Sequence, residues 1–222
     1  MTDALFNALM ELSPIPPGTT DGVDGWLTSN EEAALLALGR YASGPVLEVG
    51  PWLGRSTACI AAGISQREQV VAFTTVELNP TVEQWTEIDG LWHFIPDPNM
   101  PSLGGSSRDE WLAIEAVVSH PLGVVGQLRQ NLDRLGVAAL VDVVIGDFRQ
   151  VPLTPPYQTV FSDTLHNPDE IDRYALKFRA LLEDGGVFAC HDMTPQNRES
   201  LGRVMTFDQE TQIDGLFVGR VS

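Results

Sequence analysis

Glu48-Val49-Gly50-Pro51-Trp52-Leu53-Gly54-Arg55-Ser56 is the stretch on which the reading of the chain turns. With Val46 and Leu47 before it, residues 46–49 form a short apolar run bounded by Gly-Pro on both sides, the pattern of a buried strand. A glycine-rich turn follows, and residues 56–62 read as a helix. In open α/β sheets, ligands bind at the carboxyl ends of the strands, where such turns lie. Gly50 and Gly54 remove side chains where a ligand approaches backbone, although a tight strand-to-helix turn alone also calls for such a pair. A dinucleotide fingerprint requires G-x-G, and Trp52 stands in place of its second glycine, where its bulk opposes a pyrophosphate.

Further apolar runs at 70–76, 141–145, 159–162 and 187–190 predict strands, and 213–221 predicts a final one. Residues 3–12 read as a short amphipathic helix stopped by Ser13-Pro14-Ile15-Pro16-Pro17-Gly18. A second helix starts near Thr28, where Glu31 three places on completes a capping box, and carries Ala34, Leu35, Leu38 and Tyr41 at helical spacing. A third has Asn167 as N-cap, Pro168 at N1 and Glu170 at N3, and is expected to run through Leu182 to Gly185-Gly186. Strands and helices in this rhythm predict an α/β fold, a doubly wound and mostly parallel sheet. We expect one domain over residues 1–222, with an N-terminal helical segment at 1–44. Residues 80–119 break the rhythm and read as an insertion, a lid or binding loop. The insertion holds Trp85, Trp92 and Trp111, and sets seven acids (Glu83, Glu87, Asp89, Asp97, Asp109, Glu110, Glu115) against Arg108 alone.

Acids recur at the predicted strand ends. Glu77 follows the glycines by roughly 25–30 residues, where a ribose-binding acid sits in such folds. Asp147 beside Phe148 ends a further strand. With Glu48, three acids at successive strand ends favour a nucleoside ligand without phosphates. At this point the sequence resembles the class I S-adenosylmethionine-dependent methyltransferases, from about residue 25 to 221 with the insertion left out. The resemblance implies a Rossmann-like methyltransferase fold in which Glu48, Gly50 and Gly54 surround the methionine end of the cofactor, with Ser56 fixing it. It also implies that Glu77 takes both ribose hydroxyls and that Asp147 and Phe148 face the adenine.

Two more predicted strands end in Asp163-Thr164-Leu165-His166 and in Cys190-His191-Asp192. In a parallel sheet both tips open on the edge of the glycine turn, so these side chains can converge. The arrangement is similar to the metal-assisted small-molecule O-methyltransferases, catechol-type and macrocin-type. The likeness implies a divalent ion at Asp163 and Asp192, with His191 adjacent, and His166 as general base at the D-x-x-K/H spacing. Hard oxygen ligands suit Mg²⁺, which lowers the pKa of an acceptor hydroxyl. Two departures stand out: Thr164 and Leu165 replace the glycine that sugar-modifying relatives carry, and a third oxygen ligand is not evident.

The 222 residues carry 13 Lys+Arg against 30 Asp+Glu, a formal net charge of −17. Such a field repels phosphate backbones and anionic lipid, so neither a nucleic-acid nor a membrane partner is expected. Cys59 and Cys190 lie in apolar stretches without zinc spacing and read as buried free thiols, which with the non-basic N-terminus predicts a cytoplasmic setting. The expected partner is a small-molecule acceptor, with secondary metabolism as the setting, and the resemblance allows a homodimer. Three alternatives stand beside O-methylation. They are metal-free N- or C-methylation with His166 alone, S-adenosylmethionine binding without turnover, and NAD-dependent oxidoreduction, against which Trp52 counts.

Overall fold

The computed structural model describes residues 4–95 and 103–222. Asp3, expected to open the first helix, and Asp97 of the insertion lie outside the described residues. Helix α1 (Ala4–Met10) leads to α2 (Ser29–Tyr41), where Thr28 and Glu31 form the expected capping box. The core then runs β1 (Val46–Val49), α3 (Arg55–Ser65) and β2 (Phe73–Glu77). A second sheet follows, β3 (Trp85–Ile88), β4 (Leu91–Phe94) and β5 (Leu103–Ser106), then α4 (Arg108–Val118) and α5 (Gly123–Arg134). The chain continues through β6 (Asp142–Ile145), β7 (Tyr157–Ser162), α6 (Pro168–Leu181), β8 (Leu182–Cys190) and α7 (Pro195–Val204). The hairpin β9 (Phe207–Ile213) and β10 (Leu216–Val221) completes it.

The main sheet has the order β6-β2-β1-β7-β8-β10-β9. All its pairings are parallel except those of β10, which runs against both β8 and β9. The predicted doubly wound, mostly parallel sheet is therefore present. Strand alternation divides the core into two layers. Val46 of β1 packs with Leu35, Leu38, Ile60 and Ile64 from α2 and α3, while Leu47 and Val49 pack with Ile171, Phe178 and Leu201 from α6 and α7. Each such fully buried side chain contributes about 1.5–3 kcal/mol of transfer free energy.

Three expectations need correction. Residues 213–221 are not one strand: Asp214 at φ 51 and Gly215 form a tight turn, and the chain reverses into β10. Its partner β9 is polar and largely exposed, the composition of an edge strand. Helix α6 stops at Leu181 rather than at Gly185-Gly186, because Leu182 already pairs with Tyr157 in the sheet. Tyr41, placed on the apolar face of α2, is 37% exposed.

Candidate active site

Backbone bonds carry the main sheet's alignment past the strand ends. Gly146 N–H donates to Glu77 O (2.9 Å), Gly50 N–H to Val76 O (3.1 Å), Asp163 N–H to Val49 O (2.9 Å) and His191 N–H to Ser162 O (3.1 Å). Asp147, Glu77, the glycine turn, Asp163 and His191 therefore stand along one carboxyl edge, in the strand order β6-β2-β1-β7-β8.

In the glycine turn, Gly50 and Gly54 have φ of 88° and 93°, a left-handed conformation that side chains oppose. A Cβ on Gly50 would meet Asp163 O at 2.6 Å, and one on Gly54 would meet Leu128 Cδ1 at 2.6 Å. Both glycines thus serve the chain's own packing as well as any ligand. Glu48 shares the β1 face of Val46 and turns inward toward α3. Its fully buried carboxylate accepts hydrogen bonds from Ser56 Oγ (2.6 Å), Thr57 Oγ1 (2.6 Å) and Thr75 Oγ1 (2.7 Å). Burial pushes the Glu48 pKa up despite these three donors. The Ser56 hydroxyl, expected at the methionine end of the cofactor, spends its proton on Glu48.

Glu77 is also buried, and its two oxygens are held by separate backbone donors. Oε2 accepts from Trp52 N–H (3.1 Å) and Oε1 from Asn79 N–H (3.0 Å). Burial outweighs these bonds and pushes its pKa up to about 7. Asp147 behaves in the opposite way. Partial burial works against its charge, but the side chain and backbone N–H of Arg149 hold the carboxyl below its usual range. Phe148, expected against the adenine, is half-buried and stacks on Phe178 with centroids 5.0 Å apart.

The tips of β7 and β8 bring Asp163, His166, His191 and Asp192 together. Asp163, His191 and Asp192 each offer a ligand atom, and these atoms lie within 4.8 Å of one another. His191 Nδ1 is 3.2 Å from Asp163 Oδ1 and 3.5 Å from Asp192 Oδ1. On the other side of the ring, Nε2 faces Glu31 Oε1 at 3.4 Å. Burial lowers the pKa of His191, yet the surrounding carboxylates outweigh it and push the value up to about 9. His166 is the accessible imidazole, 44% exposed, with Nδ1 3.4 Å from Glu170 Oε2 and Nε2 3.9 Å from Asp192 Oδ2. Desolvation acts against its charge, but Glu170, Asp163 and Asp192 together raise its pKa.

Two side chains of this site were missed in the sequence. Glu31, which the sequence marks as a capping residue, also reaches His191 and accepts from Gly215 N–H (2.7 Å) and Thr28 N–H (2.8 Å). Buried Asn197 donates to both His166 O (3.1 Å) and Asp192 O (2.8 Å), tying the two strand-tip loops together. Its position in the first turn after Thr194-Pro195 was the available signal, since that pair marks a helix start. The tryptophans of residues 80–119 pack on one another: Trp92 stacks on Trp111 at 4.4 Å and Trp85 lies 5.0 Å from Trp111, in one cluster with Val23 and Val124. Leu53 and Trp52 of the glycine turn join that cluster.

Among known proteins, a family model described as a methyltransferase domain matches residues 47–193. The chain belongs to this methyltransferase-domain family. Its match spans the glycine turn and every strand tip described above. Solved structures share the fold of this methyltransferase. PaMTH1 from Podospora anserina, solved with S-adenosylhomocysteine, has 13% identity and a TM-score of 0.59, covering 98% of this chain and 93% of that one. The O-methyltransferase TomG from Streptomyces achromogenes, solved with S-adenosylmethionine, has 16% identity and a TM-score of 0.53, covering 100% and 99%. An O-methyltransferase from Bacillus cereus has 14% identity and a TM-score of 0.52, covering 100% and 92%. No curated protein matches the chain. Among the described residues, no single helix is long and apolar enough to cross a membrane.

Proposed function

We propose that this methyltransferase methylates a hydroxyl oxygen of a small molecule, with a divalent ion at Asp163 and Asp192 and His166 as the base. The observation that carries the reading is the convergence of Asp163, His166 and Asp192 from two adjacent strand tips beside the glycine turn. The two carboxylates fit Mg²⁺, which commonly takes one or two acids and fills its shell with water and substrate oxygens. Asp192 is 48% exposed, which leaves room for such ligands. His191 fits less well as a ligand, because carboxylates face both its ring nitrogens. We assign it to orienting Asp163.

S-Adenosylmethionine supplies the electrophilic methyl group, and a bound divalent ion supplies Lewis acidity toward the acceptor oxygen. The chain supplies placement and proton transfer. Glu77 takes the ribose hydroxyls. Asp147, whose two oxygens are both engaged by Arg149, faces the adenine amino group and holds that edge of the pocket in place, and Phe148 borders the ring. His166 Nε2 takes the hydroxyl proton, and the neighbouring acids that raise its pKa strengthen it as an acceptor. Glu48 anchors the turn from below rather than touching the ligand.

One observation favours a second reading, metal-free transfer to nitrogen or carbon. An imidazole between Asp163 and Glu31 supplies positive charge without any ion. Methyl transfer from labelled S-adenosylmethionine to a panel of hydroxyl and amine acceptors, with Mg²⁺ or after exhaustive chelation, separates the two. Hydroxyl acceptors, loss of turnover on chelation and a fall of at least a hundredfold in Asp163→Ala and His166→Ala are expected. Full activity after chelation, or unchanged activity in Asp163→Ala, overturns the metal.

A further inference from the structure

Five non-glycine residues among the described ones have positive φ: Trp52, Asn79, Asp89, Asp192 and Asp214. Asp89 and Asp214 each precede a glycine in a hairpin turn, where that conformation is what the turn requires. Asp192 belongs to the acidic cluster. The remaining two, Trp52 at φ 50 and Asn79 at φ 58, come from different strand tips and hold the same group. Their backbone N–H groups both bind Glu77, one on each oxygen. Asparagine tolerates the left-handed region, whereas a bulky side chain such as tryptophan is an outlier there. A conformation that costs free energy persists only where its surroundings enforce it, and such residues gather at ligand sites.

We propose that Trp52 and Asn79 are positioning residues of the cofactor site, whose left-handed backbones aim two N–H groups at the separate oxygens of Glu77. This inference rests on reading Glu77 as the ribose acid. Two fixed backbone donors set the plane of the carboxylate without ordering a further side chain. Each oxygen retains a lone pair, so a vicinal diol can bind while both N–H bonds stay in place. Asn79 extends the device: its Oδ1 accepts from Val125 N–H (3.0 Å) in the first turn of α5. The ribose acid is thereby tied to the helix that follows the insertion.

Backbone and side-chain contributions of Asn79 separate by substitution. Glycine keeps the left-handed conformation and the N–H but loses the bond to Val125; valine is excluded from that region, and alanine is intermediate. Calorimetric titration of the whole protein with S-adenosylhomocysteine, paired with thermal unfolding, reads both. N79G is expected to bind within about threefold of wild type while unfolding at a lower temperature, N79A to bind about three- to fivefold more weakly, and N79V at least tenfold more weakly. Wild-type affinity in N79A and N79V overturns the proposal, as does a loss in N79G equal to that in N79V. If N79V does not fold, the N79A and N79G comparison decides alone. Binding by wild type that is unchanged in E77Q overturns the ribose role of Glu77 instead, and no binding by wild type overturns both.

Discussion

Oε1 of Glu31 lies 3.4 Å from Nε2 of His191, joining the first turn of α2 to the tip of β8. Glu31 is 2% exposed and also accepts the backbone N–H groups of Thr28 and Gly215. Replacing it by alanine strands two donors and leaves a buried imidazole with one carboxylate face unmet. Glu31→Ala should cost about 2–4 kcal/mol of folding free energy. Urea unfolding measures this, and a loss below about 1 kcal/mol would mean that water replaces the carboxylate at little cost.

Glu48 tests the opposite case, an acid beside the glycine turn whose carboxylate points into the interior. Its removal leaves three buried hydroxyls, Ser56, Thr57 and Thr75, without their acceptor. Glu48→Ala should destabilise by about 3 kcal/mol, and Glu48→Gln by less, since the amide oxygen still accepts. Differential scanning calorimetry of the two variants checks the order. Near-wild-type stability with lost S-adenosylhomocysteine binding would return Glu48 to direct contact with the ligand.

The Glu77 carboxyl gives a pH signature. Its pKa is raised from 4.5 to about 7 in the folded chain, so the unfolded chain binds fewer protons between these values. Stability therefore falls as pH rises through that window, by on the order of 3 kcal/mol, and is flat in this group above it. On the proposed contact, ribose hydroxyls donate to the ionised form, so affinity moves the other way. S-Adenosylhomocysteine should bind roughly tenfold more tightly at pH 8 than at pH 6, and calorimetry on Glu77→Gln should show the slope removed. A wild-type affinity independent of pH would exclude Glu77 from the contact.

Much of this layout was legible in the chain. Val46-Leu47-Glu48-Val49 is short, apolar and bracketed by Gly-Pro, so its burial left few alternatives, and the acids at the ends of β2, β6, β7 and β8 followed from the same rhythm. The direction of Glu48 follows from strand alternation, since it shares a face with Val46 and not with Leu47. Other features were hidden for physical reasons. Strand β9 presents mostly polar residues because it sits at the edge of the sheet, and an edge leaves little hydrophobic pattern. The reach of Glu31 depends on the Asp214-Gly215 turn closing onto α2, a contact between distant segments that no local spacing encodes. Asn197 acts through backbone carbonyls, whose positions the residue types do not specify.

The tryptophan cluster that joins the insertion to Trp52 and Leu53 bears on how this enzyme can be re-engineered. Exchanging surface segments between relatives assumes that the segment and the scaffold are separate modules. Here they share one hydrophobic seam, and a transplanted segment lacking Trp92 and Trp111 would loosen the floor under the glycine turn. A chimera built to accept a new substrate should therefore carry matching residues at 52 and 53.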